Sequence, residues 1–325
     1  MITGAFCLRR GFVACLLLLL TGGALAQAWP SKPIRFIVPY PPGGGTDIVA
    51  RLIAPRMAEA LGQPVIVDNR PGASTIIGTD AVAKAAPDGY TFGLITDSHA
   101  INPNFQATLP YDSVKDFAPI SQVVFVPFVL IANPALQIKS VHDLIAAAKA
   151  NPGKLNYASA GNGSPHYLAM EWFKSQAGVN LNHIPYKGVA AGVADVMAGH
   201  VDVMFTGMSS GLPPMKAGKL TGLAVSSPQR QPSAPEIPTV AESGVPGFDF
   251  VTWYGLVAPA GTPKEIVARL SREVGRALAV PEVRAQLVTL GVEAAPSTPE
   301  EFAAFLHKQA GTWTQIIKVT GAKGE

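Results

Sequence analysis

Residues 34–47, IRFIVPYPPGGGTD, decide how this chain is read. Ile34 to Val38 is a short apolar, β-rich run, the pattern of a buried strand. Pro41-Pro42 ends it, because neither ring leaves an N–H for a ladder. Gly43, Gly44 and Gly45 then let the backbone come close to a bound group. Thr46 or Asp47 can cap the helix that follows. A strand, a glycine turn and a helix start together form an anion hole, in which free N–H groups and the positive end of the helix dipole point at one spot. The same segment also serves as a plain βα turn without a ligand, since one glycine cluster is a weak signal.

Before this stretch, Arg9 and Arg10 precede a dense apolar run from Gly11 to Leu20, and Ala24-Leu25-Ala26 follows. A basic region, a short apolar region and an A-x-A site read as a secretory signal peptide over residues 1–26, with the mature chain starting near Gln27 in the periplasm. The run is too short for a comfortable membrane span. Both cysteines, Cys7 and Cys15, fall in this segment, so the mature chain has no disulfide frame and no thiol chemistry. Without Arg9 and Arg10, 23 of the 25 Lys and Arg residues remain against 22 acidic ones. That balance gives no reason to expect nucleic acid or an anionic membrane as partner. About 300 residues can bury a full core and commonly divide into two domains.

After Asp47 the spacing predicts a helix with Ile48, Leu52, Ile53, Met57 and Leu61 on its buried side and Gly62 as its stop. Pro55 inside it predicts a kink or a late start. A strand over 65–68, a polar turn over 69–74, a helix over 75–86 and a strand over 90–96 follow. This βαβαβ order implies a parallel sheet with helices outside and ligands at the carboxyl ends of the strands. Tyr40 to Asp47, Pro71 to Thr75 and Asp97 to His99 fall at that edge. Residues 117–133 form a strand-like run longer than one ordinary strand, read as the first crossing between two domains.

The opening plan then recurs. A strand over 155–159 leads into Ala160-Gly161-Asn162-Gly163, with Ser164 as N-cap and Pro165 at the first helical position. Strands over 182–186, 201–205 and 220–226 alternate with a helix over 190–198. Residues 228–246, rich in Pro, Ser and Glu, read as an exposed connection. Residues 250–258 are the candidate return crossing. Helices over 264–278, 282–290 and 300–314, the last capped by Ser297 or Thr298, are expected to pack back on the first domain.

Two helix-start glycine loops, one in each βαβ half, suit a two-lobed clamp that closes over a ligand in its cleft. Backbone N–H groups and hydroxyls would hold a carboxylate without Arg. An enzyme reading is also open. Gly207-Met208-Ser209-Ser210-Gly211 fits G-x-S-x-G, with Asp249 and His307 following in the chain order of an α/β-hydrolase triad. Leu212-Pro213-Pro214 argues against the helix such an elbow needs. The Gly43 loop lacks the Lys-Ser/Thr of a P-loop, and the six histidines show no close pair with metal spacing, so no cofactor is expected. His166 at a helix start is either a ligand donor or a plain helix-face residue. Trp172 and Phe173 read as core. Trp253 and Tyr254 pack or stack on a ligand.

The stretches VPYPPGGGTDIVAR, LGQPVIVDNRPGA, AINP, NYASAGNGSPHYL, HIPYKG, DVMFTG, PEIPTVAESGVPGF and WYGLVAPAGTP stand in order over nearly the whole mature chain. Together they resemble the extracytoplasmic substrate-binding proteins of tripartite tricarboxylate transporters, the Bug family. The resemblance implies an α/β fold of the two-domain periplasmic binding-protein kind, a type II-like clamp. Each domain is expected to be a mainly parallel sheet flanked by helices, with two strands crossing between them. The expected division is 27–122 plus 252–325 for one domain and 123–251 for the other.

By the same resemblance, the two glycine loops bind one carboxylate and more variable loops read the far end. Carried over by position, Tyr40, Gly43, Gly44, Gly45, Thr46 and Asp47 form the first loop. Ser159, Gly161, Asn162, Gly163, Ser164 and His166 form the second, with Tyr186, Thr206 and Gly207 lining the same edge. Asp47 is expected to cap its helix and order the loop rather than meet an anion, which it would repel. The chain departs from the family at Thr96-Asp97-Ser98, where small or amide residues are usual. An Asp97 pointing into the cleft would disfavour a second carboxylate and favour an amine or hydroxyl; otherwise it caps a turn or faces solvent. Ser74, in place of a usual Gly, would narrow the pocket. The implied role is a monomeric, non-catalytic carrier of a small organic acid (a carboxylate, amino acid or aromatic acid) that delivers to inner-membrane transporter subunits. A chemosensory receptor built on the same clamp is the other binding role.

Overall fold

The computed structural model describes residues 29–106 and 108–322. The expected signal peptide and both cysteines lie outside the described residues. In chain order the first half runs β1 (Ile34–Val38), α1 (Gly45–Leu61), β2 (Val65–Asn69), α2 (Ile76–Ala83), β3 (Thr91–Thr96), α3 (Ser98–Phe105), β4 (Phe117–Ala132) and α4 (Val141–Ala150). The second runs β5 (Asn156–Ser159), α5 (Pro165–Ala177), β6 (Asn182–Pro185), α6 (Val189–Ala198), β7 (Val203–Gly207), α7 (Met208–Lys216), β8 (Thr221–Val225) and β9 (Val251–Pro259). It closes with α8 (Lys264–Ala279), α9 (Pro281–Thr289), β10 (Glu293–Ala294) and α10 (Pro299–Thr320).

The strands form one curled sheet in the order β2-β1-β3-β9-β4-β7-β5-β6, with β8 and β10 pairing β4. The expected parallel strands are present as two groups: β1 with β2 and β3, and β5 with β6 and β7. The sheet as a whole is mixed, because β4 and β9 run antiparallel to their neighbours. A strand that leaves one lobe for the other cannot keep the direction of both parallel groups. Along β4, Phe117 to Pro127 pairs β9, and from Phe128 onward the strand pairs β7. The long apolar run is therefore one strand serving two lobes. Phe250 N–H still bonds Ser226 O of the second lobe, at 2.9 Å, before β9 begins.

In the first lobe alternate strand residues feed two cores. Phe36, Leu94 and Leu256 pack beneath α1, α8 and α9, while Ile37, Ile95 and Val257 pack toward α2 and the start of α10. In the second, Leu130 and Phe205 pack toward α4 and α5, and Ile131 and Met204 toward α6 and α7. Period-two alternation between two covered faces is what places a sheet in the middle of a three-layer lobe.

Several local expectations give way to packing. Helix α1 starts at Gly45 and runs through Pro55, so there is no late start, and Ile48 is exposed while Val49, Ala50 and Ala54 join Ile53, Met57 and Leu61 in the core. Helix α7 forms despite Pro213 and Pro214, although neither ring can donate to the carbonyls of Ser209 and Ser210 four residues back. Residues 98–105, to which the sequence reading assigns no element, form α3. The 228–246 connection is irregular but buries Ile237, Val240 and Val245. Helix α10 starts as expected, with Thr298 and Glu301 forming a capping box. It does not stay on the first lobe. Phe302 lies in the first lobe's core and Trp313 in the second's, so its 22 residues strap the two together.

Candidate functional site

The first loop gathers as expected, by a different device. Gly44, not Thr46 or Asp47, occupies the cap position of α1, and no side chain caps the helix. Asp47 lies inside the first turn and reaches back. It accepts hydrogen bonds from Gly43 N–H at 2.9 Å, Arg51 Nε at 3.0 Å and Asn69 Nδ2 at 2.9 Å. Asn69 Nδ2 also bonds Tyr40 O at 3.1 Å. Burial alone would raise the Asp47 carboxyl, but the bonds from Arg51, Gly43 and Asn69 outweigh it and hold it below the usual carboxylate range. Asp47 is thus an ionised tie that shapes the loop from behind, its charge answered by Arg51. The amides at the start of α1 are left for something else.

Around that start stands a ring of hydroxyls. Tyr40 Oη lies 2.6 Å from Thr96 Oγ1 and 3.4 Å from Ser98 Oγ. Burial pushes the Tyr40 hydroxyl up to about 12, and it drives that of Tyr254 higher still, so both stay neutral donors. A Cβ on Gly45 would stand 2.6 Å from Ser209 Oγ and 3.1 Å from Tyr254 Oη. Gly45 is therefore the point where the first lobe meets the second, and any larger residue would press on both hydroxyls. Thr46 is buried and its hydroxyl makes no hydrogen bond. The result is a patch of uncharged donors at the positive end of a 17-residue helix, suited to a carboxylate.

The second loop is built differently. Ser164 caps α5, its Oγ accepting from Tyr167 N–H at 3.2 Å, and Pro165 follows at the first helical position. The Ser164 O–H remains able to donate. Ser159 lies beneath the loop, fully buried, tied to Gly161 N–H at 3.1 Å and to His183 Nε2 at 2.6 Å. It supports the loop rather than presenting itself. Gly161 has φ +110 and Gly163 φ +70, and a Cβ on Gly163 would stand 3.0 Å from Phe105 of α3. Asn162 is half-buried at the tip. This loop meets Phe105, which with Ala100 and Ile101 of α3 packs against the second lobe's core. His166 stacks on Phe128, with ring centroids 4.7 Å apart, and its Nδ1 has no hydrogen bond. Burial lowers its pKa to about 4, so it is a neutral imidazole.

Other expected residues fall elsewhere. Asp97 occupies the cap position of α3, but its side chain neither caps that helix nor faces solvent. It is fully buried, accepts from Trp253 N–H at 3.3 Å and leaves Oδ1 unpartnered. Burial raises its pKa well above the usual range; the Trp253 amide and, more weakly, the Trp313 indole oppose this. It stands behind Tyr40 and Tyr254. Tyr186 gives its hydroxyl to Asp195 at 2.6 Å, away from the ring of donors. Thr206 lies beneath α7, where its methyl would meet a Cβ on Gly211 at 3.0 Å. Ser74 is exposed and belongs to a run of three left-handed residues, Ala73, Ser74 and Thr75, at φ 46, 50 and 78. Each such residue costs about 1–2 kcal/mol, and Asn102 Nδ2 pins the turn through Ser74 O at 2.9 Å. Ser209 reaches this contact unforeseen, and Tyr254, expected to pack or stack on a ligand, brings its hydroxyl there; the glycine at 45 was their signal, since it marks a close approach. For the hydrolase reading, Asp249 and His307 are exposed, and among the described residues neither bonds Ser209.

The model of the tripartite tricarboxylate transporter family receptor matches residues 49–322. The chain belongs to this receptor family. A family relative, Protein BugT of Bordetella pertussis, is 38% identical over 300 residues, 92% of each chain. A solved periplasmic transporter is 39% identical, covers 91% of this chain and 99% of its own, and superposes with a TM-score of 0.87. An R. palustris protein solved with adipate is 35% identical, covering 91% and 100%, with a TM-score of 0.88. The receptor family and its two-lobed fold are those of periplasmic solute-binding proteins, and that is the role of this chain.

Proposed function

We propose that this receptor binds a small organic acid with its carboxylate at the start of α1, among the amides of Gly45 to Asp47 and the hydroxyls of Tyr40, Thr46 and Tyr254. The observation that carries this is the uncapped start of a long helix ringed by neutral donors, with the carboxylate in its first turn, Asp47, turned back and paired. The adipate held by a 35% identical relative supports the ligand class. Ser164 O–H and the Gly161–Gly163 amides line the cleft from the second lobe beside Phe105. We place the lobe boundary in β4 between Pro127 and Phe128, where pairing changes partner, rather than at 122/123, and the return at 250/251. The mature chain, cleaved before Gln27, acts as a monomer, performs no chemistry on its ligand and hands it to inner-membrane transporter subunits.

The test is a thermal-shift and calorimetric screen with adipate, malate, aspartate and benzoate, with the recovered acid checked by NMR. A folded-state ligand raises the melting temperature by mass action. Binding of one class of acid, recovered unchanged, is expected. No shift with any acid, or conversion of the acid, refutes the reading.

A further inference from the structure

The Gly161–Ser164 loop packs on Phe105 of α3, while the start of α1 has another neighbour. What faces it is the start of α7. Ser209, the second residue of α7, is 7% exposed, and its hydroxyl forms no hydrogen bond among the described residues. Its Oγ stands 2.6 Å from where a Cβ on Gly45 would be. Thr46, 6% exposed, has an equally unpartnered hydroxyl on the α1 side. Both residues are more than nine-tenths buried, yet neither hydroxyl oxygen is fully enclosed, so each keeps an open side from which it can donate to an acceptor. Neither helix has a side-chain cap: Gly44 precedes α1 and Gly207 precedes α7. Each helix start carries roughly half a positive charge. Two such ends brought together repel, and an anion between them turns that repulsion into attraction.

Resting on the carboxylate reading above, we propose that Ser209 and the start of α7 are the second lobe's arm of the carboxylate site. The acid's head group is clamped between the N-termini of α1 and α7, with Ser209 O–H and Thr46 O–H donating to it from opposite lobes. The head group itself is then the element that draws the lobes shut. The G-x-S-x-G motif that resembled a nucleophile elbow is instead the small-residue turn that lets α7 approach Gly45.

The experiment measures affinity by calorimetry for adipate, malate, aspartate and benzoate in the purified protein, Ser209→Ala, Gly45→Ala and the double variant. Loss of a hydrogen bond to a charged group predicts about ten- to a hundred-fold weaker binding for Ser209→Ala. Its ligand-free melting temperature should hold, because the hydroxyl has no partner to lose. Gly45→Ala, whose methyl displaces the Ser209 hydroxyl, should weaken binding similarly, and adding it to Ser209→Ala should weaken binding much less than additively. Affinity of Ser209→Ala within twofold of the parent overturns this assignment alone, and so does full additivity. No binding of any acid by the parent overturns the carboxylate reading, and this assignment with it.

Discussion

Removing the Asp47 carboxylate tests the loop's architecture directly. In Asp47→Ala three bonds disappear: those from Gly43 N–H, Asn69 Nδ2 and Arg51 Nε. The first two meet a buried charged acceptor, worth about 1.5 kcal/mol each. Arg51 is half-exposed and its pair contributes about 0.5 kcal/mol. The expected loss is about 3 kcal/mol, which for a chain of this size lowers the melting temperature by roughly 6–10 °C. Gly43, at φ +82, is then no longer held in place, so the α1 amides lose their alignment and acid affinity falls as well. The sign of the pH dependence follows. The folded carboxyl titrates below its unfolded value of about 3.9, so its contribution is present above that pH and is lost as pH falls through the folded pKa. The variant should show a shallower loss of stability below pH 4. Differential scanning calorimetry from pH 7 to 3, with and without adipate, reads all of this. A melting temperature within 1 °C of the parent, with unchanged acid pH dependence, would refute the idea that Asp47 organises the loop.

Three further outcomes are expected. Ser164→Ala removes the α5 cap and should cost about 1 kcal/mol in urea unfolding, together with some acid affinity; unchanged stability would mean that Tyr167 N–H finds another acceptor. Burial holds His99, His166 and His183 near 4, so each must gain a proton on unfolding between about pH 4 and 6.5, and stability should fall as pH drops through that window. Asp97, raised by burial, opposes part of this by releasing a proton on unfolding; a flat urea-unfolding profile from pH 7 to 5 would contradict the histidine assignment. Trp313→Ala, opening a hole in the second lobe's core from a helix rooted in the first, should destabilise both lobes by about 3–5 kcal/mol, and separate unfolding of the lobes would argue against a strap.

The parts of this molecule that were legible in its sequence are those governed by local rules. Strand β1, the glycine turn and α1 follow from an apolar run, two prolines, three glycines and a polar start, and the recurrence around Ser164 follows from the same grammar. The unreadable parts depend on what arrives from far along the chain. Asp47 looked like a cap because a polar residue at a helix start usually is one; it turns inward because Asn69 and Arg51 are there to meet it. Asp97 could be assigned neither to cleft nor to solvent, because its burial is decided by Trp253 and Trp313, 156 residues and more away. The end of α10 joins the second core through Trp313, Ile316 and Ile317, a pairing that helical periodicity cannot address to a particular lobe.

The same distinction separates the two halves of the candidate site. Glycine loops advertise themselves in sequence, and so both were found. Their roles differ because of what each meets: Gly45 meets a hydroxyl of the facing lobe, and Gly163 meets a phenyl ring packed on its own lobe's core. A hydroxyl and a helix end offer an anion several modest, neutral bonds, and opening the lobes breaks those that come from one side. An arginine fork on one lobe would keep the acid after opening. A receptor that must release its cargo is better served by donors divided between two lobes, since separating the lobes removes half of them at once.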